Sequence, residues 1–411
     1  MDSLLSQINA ILWHDYVLYA MVVTGLTFTL WSGFSQYRAI THGVAVIRGR
    51  YDDPDDPGAI NHFQALSTAL SATVGLGNIG GVAIAIALGG PGAVFWMWII
   101  GFLGMATKLT EVTLSMLYRN TEDPDNPHGG PMYVVSKGLV WRFPKLGQIG
   151  GLLGGLFCIT CLIMAATGGN MFQAWNVGAI TETYFGIPSI ACGIVLAVIV
   201  GMVIIGGIKR IGAVTGRLVP IMISLYLLAA IYVVIVNFAA IPDMFGLIFK
   251  GAFSTLEASG AFIGGTMGYA FLFGMKRAIF SNEAGQGTSP IAHSAAKTRE
   301  PVREGIVAGL EPFLDTIVVC TLTALVILST GVWQRGAEAV LIDEANFRQT
   351  TEGEWTLGTT RITERHSETF TTGDTVFLVV HGDSNPRSNN QMHRLEGYVV
   401  IARNGDVMVE W

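Results

Sequence analysis

Within the apolar stretch 67–81, Gly75, Gly77, Gly80 and Gly81 crowd around the run Val74-Gly75-Leu76-Gly77-Asn78. A glycine weakens a helix by up to about 1 kcal/mol relative to alanine, so the run predicts a break in an otherwise apolar helix. At membrane depth, backbone outside a helix survives only where it is buried in protein or lines a cavity. A break there frees N–H groups able to hold a carboxylate and C=O groups able to hold a cation. Glycine also lets a ligand come close to the backbone. Close helix packing through small residues remains open for the same glycines. A nucleotide-binding loop is excluded, because no strand precedes the Gly-x-Gly and no basic residue follows nearby.

A second glycine-interrupted stretch runs from Gly260 through Gly264, Gly265 and Gly268 to Tyr269, and continues into Phe280-Ser281-Asn282-Glu283-Ala284-Gly285. Paired interruptions in corresponding segments point to an internal repeat with a binding site at the bilayer midplane. Glu311 and Asp315 share one face at the start of a later apolar segment. Stabilisation by the helix dipole and an intramembrane gating role are both open for them. Lys108 and Glu111 read as an i,i+3 pair snorkelling to the membrane interface. Glu283 follows Lys276 and Arg277 and reads as an ion-pair partner at an inner gate. His62 and His293 lie in or beside loops and receive no role. Cys158 and Cys161 have the spacing of a redox or zinc motif, but without flanking His or further Cys they read as small helix residues. No nucleophile–base set or metal cluster emerges, which argues against an enzyme.

These residues need elements of membrane length to carry them. Of the 411 residues, 51% are hydrophobic and 13% charged, against about 25% charged in soluble domains. Roughly eight segments approach the ~20 residues a bilayer requires: 15–36, 66–88, 93–117, 149–168, 188–208, 217–238, 256–275 and 308–330. Basic residues cluster in alternate loops, at Arg38, Arg48 and Arg50, then Arg119–Lys145, Lys209–Arg217 and Lys276–Arg303. Positive charge marks the cytoplasmic side. The chain is therefore expected to be multi-pass in a bacterial inner (plasma) membrane, with its N-terminus and residues 331–411 outside. The acidic loops 51–58 and 122–127 lack calcium-ligand spacing and read as solvated linkers. No basic patch suggests nucleic acid. Residues 331–411 are polar, with short β-branched runs, and Asn404-Gly405 between 398–403 and 406–411 is a hairpin signal. The expected organisation is an all-α membrane core at 1–330 and a β-rich external module at 331–411.

The specific motifs extend well beyond the glycines. Val74-Gly75-Leu76-Gly77-Asn78, Ala87-Leu88-Gly89-Gly90-Pro91-Gly92-Ala93-Val94-Phe95-Trp96-Met97-Trp98, Gly104-Met105-Ala106-Thr107-Lys108, Gly129-Gly130-Pro131-Met132-Tyr133, Phe280-Ser281-Asn282-Glu283-Ala284-Gly285 and Phe313–Thr321 resemble the alanine/glycine:cation symporter family over about residues 10–330. The resemblance implies the inverted-repeat fold of neurotransmitter:sodium symporters and sodium-coupled uptake of alanine, glycine or similar small amino acids. It implies no cofactor beyond the transported sodium ion. Carried over by position, Gly75, Gly77 and Asn78 belong to the substrate site, with the amino acid's carboxylate on N–H groups near Gly75 and Gly77. Thr73 adds a side-chain oxygen. Carbonyls near Ser71 and Val74 would face the cation. Thr266, Met267 and Gly268 sit in the second broken helix, with Phe271 as a candidate pocket wall. For Asn170 and Gln173, completing the pocket and an exposed helix end are both open.

The resemblance also implies further helices after residue 330, so the second repeat is incomplete here. The expectation is the N-terminal part of a longer transporter; a natural short form is the other reading. A membrane-anchored sensor or partner subunit presenting the external module is the non-transporting alternative. The sequence leaves oligomeric state open.

Overall fold

A computed structural model describes residues 14–253 and 267–331, Trp333, and strand residues between 339 and 410. The chain forms two compact units. One comprises Met1–Val82, Met97–Val236 and Met275–Thr323; the other comprises Ala83–Trp96, Asn237–Gly274 and Ala324–Trp411.

The helices, in chain order, are α1 (Asp15–Trp31), α2 (Ser35–Ile47), α3 (His62–Thr73), α4 (Leu76–Gly89), α5 (Gly92–Tyr118), α6 (Gly147–Met164), α7 (Phe172–Phe185), α8 (Ser189–Ile204), α9 (Gly207–Val236), α10 (Ile241–Phe253), α11 (Met267–Asn282), α12 (Thr288–His293), α13 (Pro301–Ala308) and α14 (Cys320–Ser329). π-helical turns at Ala165–Met171 and Phe313–Val319 join α6 to α7 and lead into α14. Among the described residues, Gly92–Tyr118, Pro144–Phe185, Gly207–Val236 and Pro301–Ser329 are long and apolar enough to cross a membrane, and two bent pairs, α1–α2 and α3–α4, qualify as single broken spans.

Three expected boundaries move. The first segment, taken as 15–36, stops at Trp31, where Gly33 and Phe34 adopt positive φ and turn α2 by 71°. The loop expected at 169–187 is helical to Phe185. Its polar residues stay in the helix by bonding their own preceding turn: Asn176 Nδ2 donates to the Phe172 carbonyl and Thr183 Oγ1 to the Ala179 carbonyl, both at 2.8 Å. The loop expected at 239–255 contains α10, whose buried face is Ile248, Gly251 and Ala252. Much of the seventh expected segment, 256–266, lies outside the described residues.

In the first unit, α3 starts at a capping box, in which Asn61 accepts from the Gln64 N–H and Gln64 accepts from the Asn61 N–H, the arrangement that satisfies otherwise idle donors at a helix start. Its apolar face (Leu66, Leu70, Val74) forms a core with Val46, Val219 and Val307. Gly212 of α9 comes so close to Ile60 that a Cβ there would lie 2.8 Å from Ile60 Cγ2. Gly305 of α13 meets α5 in the same way, against Thr113 and the Leu109 carbonyl. Outward-facing Ile190, Ile205, Leu225 and Leu228 are largely exposed, as lipid-facing side chains would be.

In the second unit, Phe95 packs edge to face on Trp96 and Phe253, Trp96 does so on Phe271, and Phe249 lies tilted against Phe95. Strands β1 (Ala339–Leu341), β2 (Phe347–Thr351), β3 (Glu354–Leu357), β4 (Arg361–Ile362), β5 (Thr375–His381), β6 (Met392–Ile401) and β7 (Val407–Glu410) form a five-stranded sheet of order β4-β1-β5-β6-β7 and a separate β2-β3 pair. β6 and β7 run antiparallel with Ile401 opposite Val407; the Asn404-Gly405 turn itself lies outside the described residues.

Candidate functional site

The break predicted from the glycines lies between α3 and α4, which meet at 42°. Val74 is extended at the end of α3. In an unbroken helix the Gly75 N–H would bond the Ser71 carbonyl and the Asn78 N–H the Val74 carbonyl. Here the Gly75 N–H donates instead to Asn78 Oδ1 at 2.8 Å, and the Asn78 N–H to the Gly75 carbonyl at 3.1 Å. The Ser71 and Val74 carbonyls are thereby released from those bonds, at the two positions expected to face a cation. The Ser71 side chain is exposed and its hydroxyl bonds back to the Thr68 carbonyl.

Asn78 also links the break to an acid. It is 1% exposed, and its Nδ2 donates to Asp315 Oδ1 at 2.5 Å and to Ser281 Oγ at 3.1 Å. Ser281 Oγ and Thr316 Oγ1 each donate to Asp315 Oδ2 at 2.8 Å. Asn282 Nδ2 in turn donates to Thr316 Oγ1. Asp315 is fully buried in the π-helical turn before α14, a turn type frequent at functional sites. No Lys, Arg or His forms an ion pair with it among the described residues. A carboxylate and two hydroxyl oxygens without a protein cation suit a hard monovalent cation, because the hydroxyls can rotate to present lone pairs.

The expected substrate residues separate by what they meet. Among the described residues, a Cβ on Gly75 would have only Gln173 Oε1 within 4 Å, at 3.9 Å, so this position faces Gln173. Thr73 is buried and its hydroxyl has no hydrogen-bond partner among the described residues. Gly77 differs. A Cβ there would lie 3.4 Å from the Ser281 Cα, so Gly77 lets α4 press against α11. The Gly75 N–H, expected to meet a substrate carboxylate, is occupied by Asn78 instead. Asn170 is exposed within the π-turn after α6. In the second unit Phe271 packs edge-on against Trp96 at 4.8 Å. Met267 and Gly268 begin α11, and Thr266 lies outside the described residues.

A second polar constellation was not legible in the sequence. Glu304 of α13 bonds His62 Nδ1 with one carboxylate oxygen and His293 Nδ1 with the other. His293 Nε2 meets Glu311 Oε1 at 2.6 Å, and Glu311 Oε2 pairs with Lys108 Nζ at 3.1 Å. Ser289 donates to Glu311 at 2.5 Å. All these charged groups are 0–1% exposed. One expectation is corrected. Lys108 does not snorkel beside Glu111 but lies fully buried against Glu311 of another helix. The Glu283 carboxylate accepts from the Thr288 hydroxyl. On His293, burial alone would lower the pKa, but the bonds from Glu304 and Glu311 and their charges raise it to about 9. The sequence signal that could have exposed the chain is the number of titratable residues inside apolar runs; their mutual pairing has no local sequence trace.

The sequence profile of the sodium:alanine symporter family matches residues 1–362. Sodium/alanine symporter AgcS of Methanococcus maripaludis is 43% identical over 330 residues, covering 80% of this chain and 71% of that protein. Amino-acid carrier protein AlsT of Bacillus subtilis is 36% identical over 335 residues, 82% of this chain and 68% of AlsT. A further Bacillus subtilis protein, named probable sodium/glutamine symporter GlnT, is 34% identical over 351 residues, 85% of this chain and 70% of its own length.

Proposed function

The chain belongs to the sodium:alanine symporter family, whose members are multi-pass membrane carriers rather than enzymes, and on that premise we propose that it couples sodium movement to the uptake of alanine, glycine or similar small amino acids. The substrate occupies the space beside the Val74–Asn78 break, with Thr73 and Gln173 at its edge. Its carboxylate sits on the N–H groups of the first turn of α4, where the helix dipole favours an anion. Sodium sits against Asp315, with Ser281 and Thr316 as neutral oxygen donors. The freed carbonyls of Ser71 and Val74 are a further cation candidate. The finer frame follows the family reading: an inverted-repeat core at 1–330, and residues 331–411 as an external module.

The observation that carries this reading is the Asn78 bridge. Its Oδ1 holds the Gly75 N–H and its Nδ2 holds Asp315, so one side chain ties the substrate-side backbone to the acid. A cation that fixes Asp315 fixes Asn78, and Asn78 fixes the shape of the break. Linkage requires the reverse: bound amino acid must raise sodium affinity by the same factor. The test is uptake of labelled alanine by proteoliposomes under an inward sodium gradient. Uptake should collapse when choline replaces sodium, and alanine should lower the half-saturating sodium concentration. Uptake indifferent to sodium would end the coupling claim.

A further inference from the structure

His62 and His293 hold matching positions in the buried chain but differ in one respect. His293 has a carboxylate at hydrogen-bond distance from each ring nitrogen, Glu304 at Nδ1 and Glu311 at Nε2. An imidazole donating to carboxylates on both sides carries both protons. His62 has one such partner, Glu304 at Nδ1. Its Nε2 is buried, has no hydrogen-bond partner among the described residues, and lies 3.8 Å from Asp52 Oδ1. Because Nδ1 faces a carboxylate it must be the N–H, so the neutral ring leaves its lone pair on Nε2, aimed at a second acid. The side chain of Asp52 is 48% exposed, so this end of the chain reaches solvent.

We propose that the His62–Glu304–His293–Glu311–Lys108 chain is a proton-binding site, loaded at His62 Nε2 from the side of Asp52. One O–H bond of a solvent hydronium ion breaks and leaves water, and its proton adds to the Nε2 lone pair as one new N–H bond; His62 keeps its Nδ1–H toward Glu304. The imidazolium then has a carboxylate on each face, as His293 does, and the 3.8 Å gap to Asp52 can close. This draws the loop of Asp52 onto the first turn of α3, the helix whose other end is Val74. Proton concentration on this side therefore sets how firmly the start of the broken helix is held, and so the rate at which the carrier turns over.

Charged groups face His62 from several neighbouring elements. Asp52 stands on the loop before α3, Glu304 on α13, and His293 on α12 beyond it. Arg119, after α5, lies within electrostatic reach of Glu304 and Asp56, and its guanidinium is held by the carbonyls of Pro57, Ser294 and Ala296. Asp56 is paired with Arg299 and Arg303. Of these, Asp52 is the acid left facing His62 without a closed bond to it.

The turnover consequence rests on the symport reading; the proton site does not, and the experiment separates them. Sodium-driven alanine uptake is measured in oriented proteoliposomes while pH on the Asp52 side varies between about 5.5 and 8.5. Melting of the detergent-solubilised protein is followed over the same range. The wild type should show a single-proton transition in uptake, and in melting the same transition on top of the alkaline decline that His293 produces. Asp52→Asn, on an exposed loop, should leave the chain folded and inserted and move the midpoint roughly 0.3–1 unit to lower pH, because an anion that favours the imidazolium is gone. His62→Gln should abolish this transition and leave the His293 decline. An unmoved midpoint in Asp52→Asn, or a wild-type transition surviving in His62→Gln, overturns the proposal. Should His62→Gln fail to insert, the Asp52→Asn midpoint decides alone. Absence of sodium-driven uptake at every pH, with the melting midpoint still moved by Asp52→Asn, sinks the symport reading and leaves the proton site standing.

Discussion

Two buried acids in the first unit, Asp315 and Glu311, stand one helical turn apart in sequence and are solvated in opposite ways. Glu311 has its cations supplied by the protein, Lys108 at 3.1 Å and His293 at 2.6 Å. Asp315 is ringed by neutral donors, Asn78, Ser281 and Thr316. A buried carboxylate left with neutral partners retains an unmet demand for positive charge, whereas one already paired has none. The first arrangement suits a cation that comes and goes; the second suits a fixed brace that joins α5, α12 and α13. The contrast is also one of cost, because removing one partner of a buried pair leaves a charge that nothing compensates.

The largest expected effect tests that brace. Lys108→Met removes the ammonium but keeps the length of the side chain, and leaves Glu311 Oε2 without its cation while His293 stays on Oε1. The loss should be about 3–5 kcal/mol, read as a steep fall in melting temperature in detergent. Adding Glu311→Gln to the same chain should restore part of it. Sodium should not rescue the single variant, because Glu311 lacks the pair of hydroxyl oxygens that Asp315 has. A Lys108→Met protein as stable as the wild type would erase the contrast.

Next comes the alkaline limit of the brace. His293 is held near 9, above its ordinary 6.5, so its proton stabilises the fold fully below about pH 6.5. That contribution is lost as pH rises through 9, and amounts to about 3 kcal/mol at most. Melting temperature should therefore decline between those limits, and the decline should flatten in His293→Gln.

A smaller change in stability but a sharper functional one belongs to Asp315→Asn. The amide is isosteric, and Asn78, Ser281 and Thr316 can still bond it, so the fold should survive. Half-saturating sodium should rise at least about tenfold, equivalent to 1.4 kcal/mol, in alanine uptake or in sodium-dependent binding. An unchanged sodium requirement would move the cation to the Ser71 and Val74 carbonyls.

The sequence announced one of these regions and hid the other, for a physical reason. A glycine cluster in an apolar helix carries its cost locally, so the Val74–Asn78 break could be read where it stands. What Gly75 and Gly77 do individually could not, because they differ only in direction: one faces Gln173, the other the backbone at Ser281. Ser281 and Thr316 went unassigned because a hydroxyl in a helix can always bond its own preceding turn and gives no sign of a distant acid. The chain from His62 to Lys108 was misread because its bonds join residues as far apart in sequence as His62 and Glu304. Read locally, Lys108 and Glu111 make an ordinary surface pair, and only the distant Glu311 shows that Lys108 is inside.

The smallest expected effect bears on the substrate edge of the Asp315 region. Thr73 and Thr68 lie on the same helix, both ahead of the break. The Thr68 hydroxyl is engaged, bonded to the Gln64 carbonyl at 2.7 Å and to Thr215 at 2.9 Å. That of Thr73 is buried and has no partner among the described residues. An unsatisfied buried hydroxyl costs stability, so Thr73→Val should leave the melting temperature unchanged or raise it slightly. Thr68→Val, losing real bonds, should lower stability by about 1 kcal/mol. Affinity should move the other way round. If Thr73 completes its hydrogen bonding on the amino acid, Thr73→Val weakens alanine binding roughly three- to tenfold, the worth of one neutral bond, while Thr68→Val leaves it alone. A Thr73→Val protein that is more stable and binds alanine as tightly as the wild type would show that the hydroxyl is merely tolerated there, and would confine the substrate edge to Gln173 and the backbone of α4.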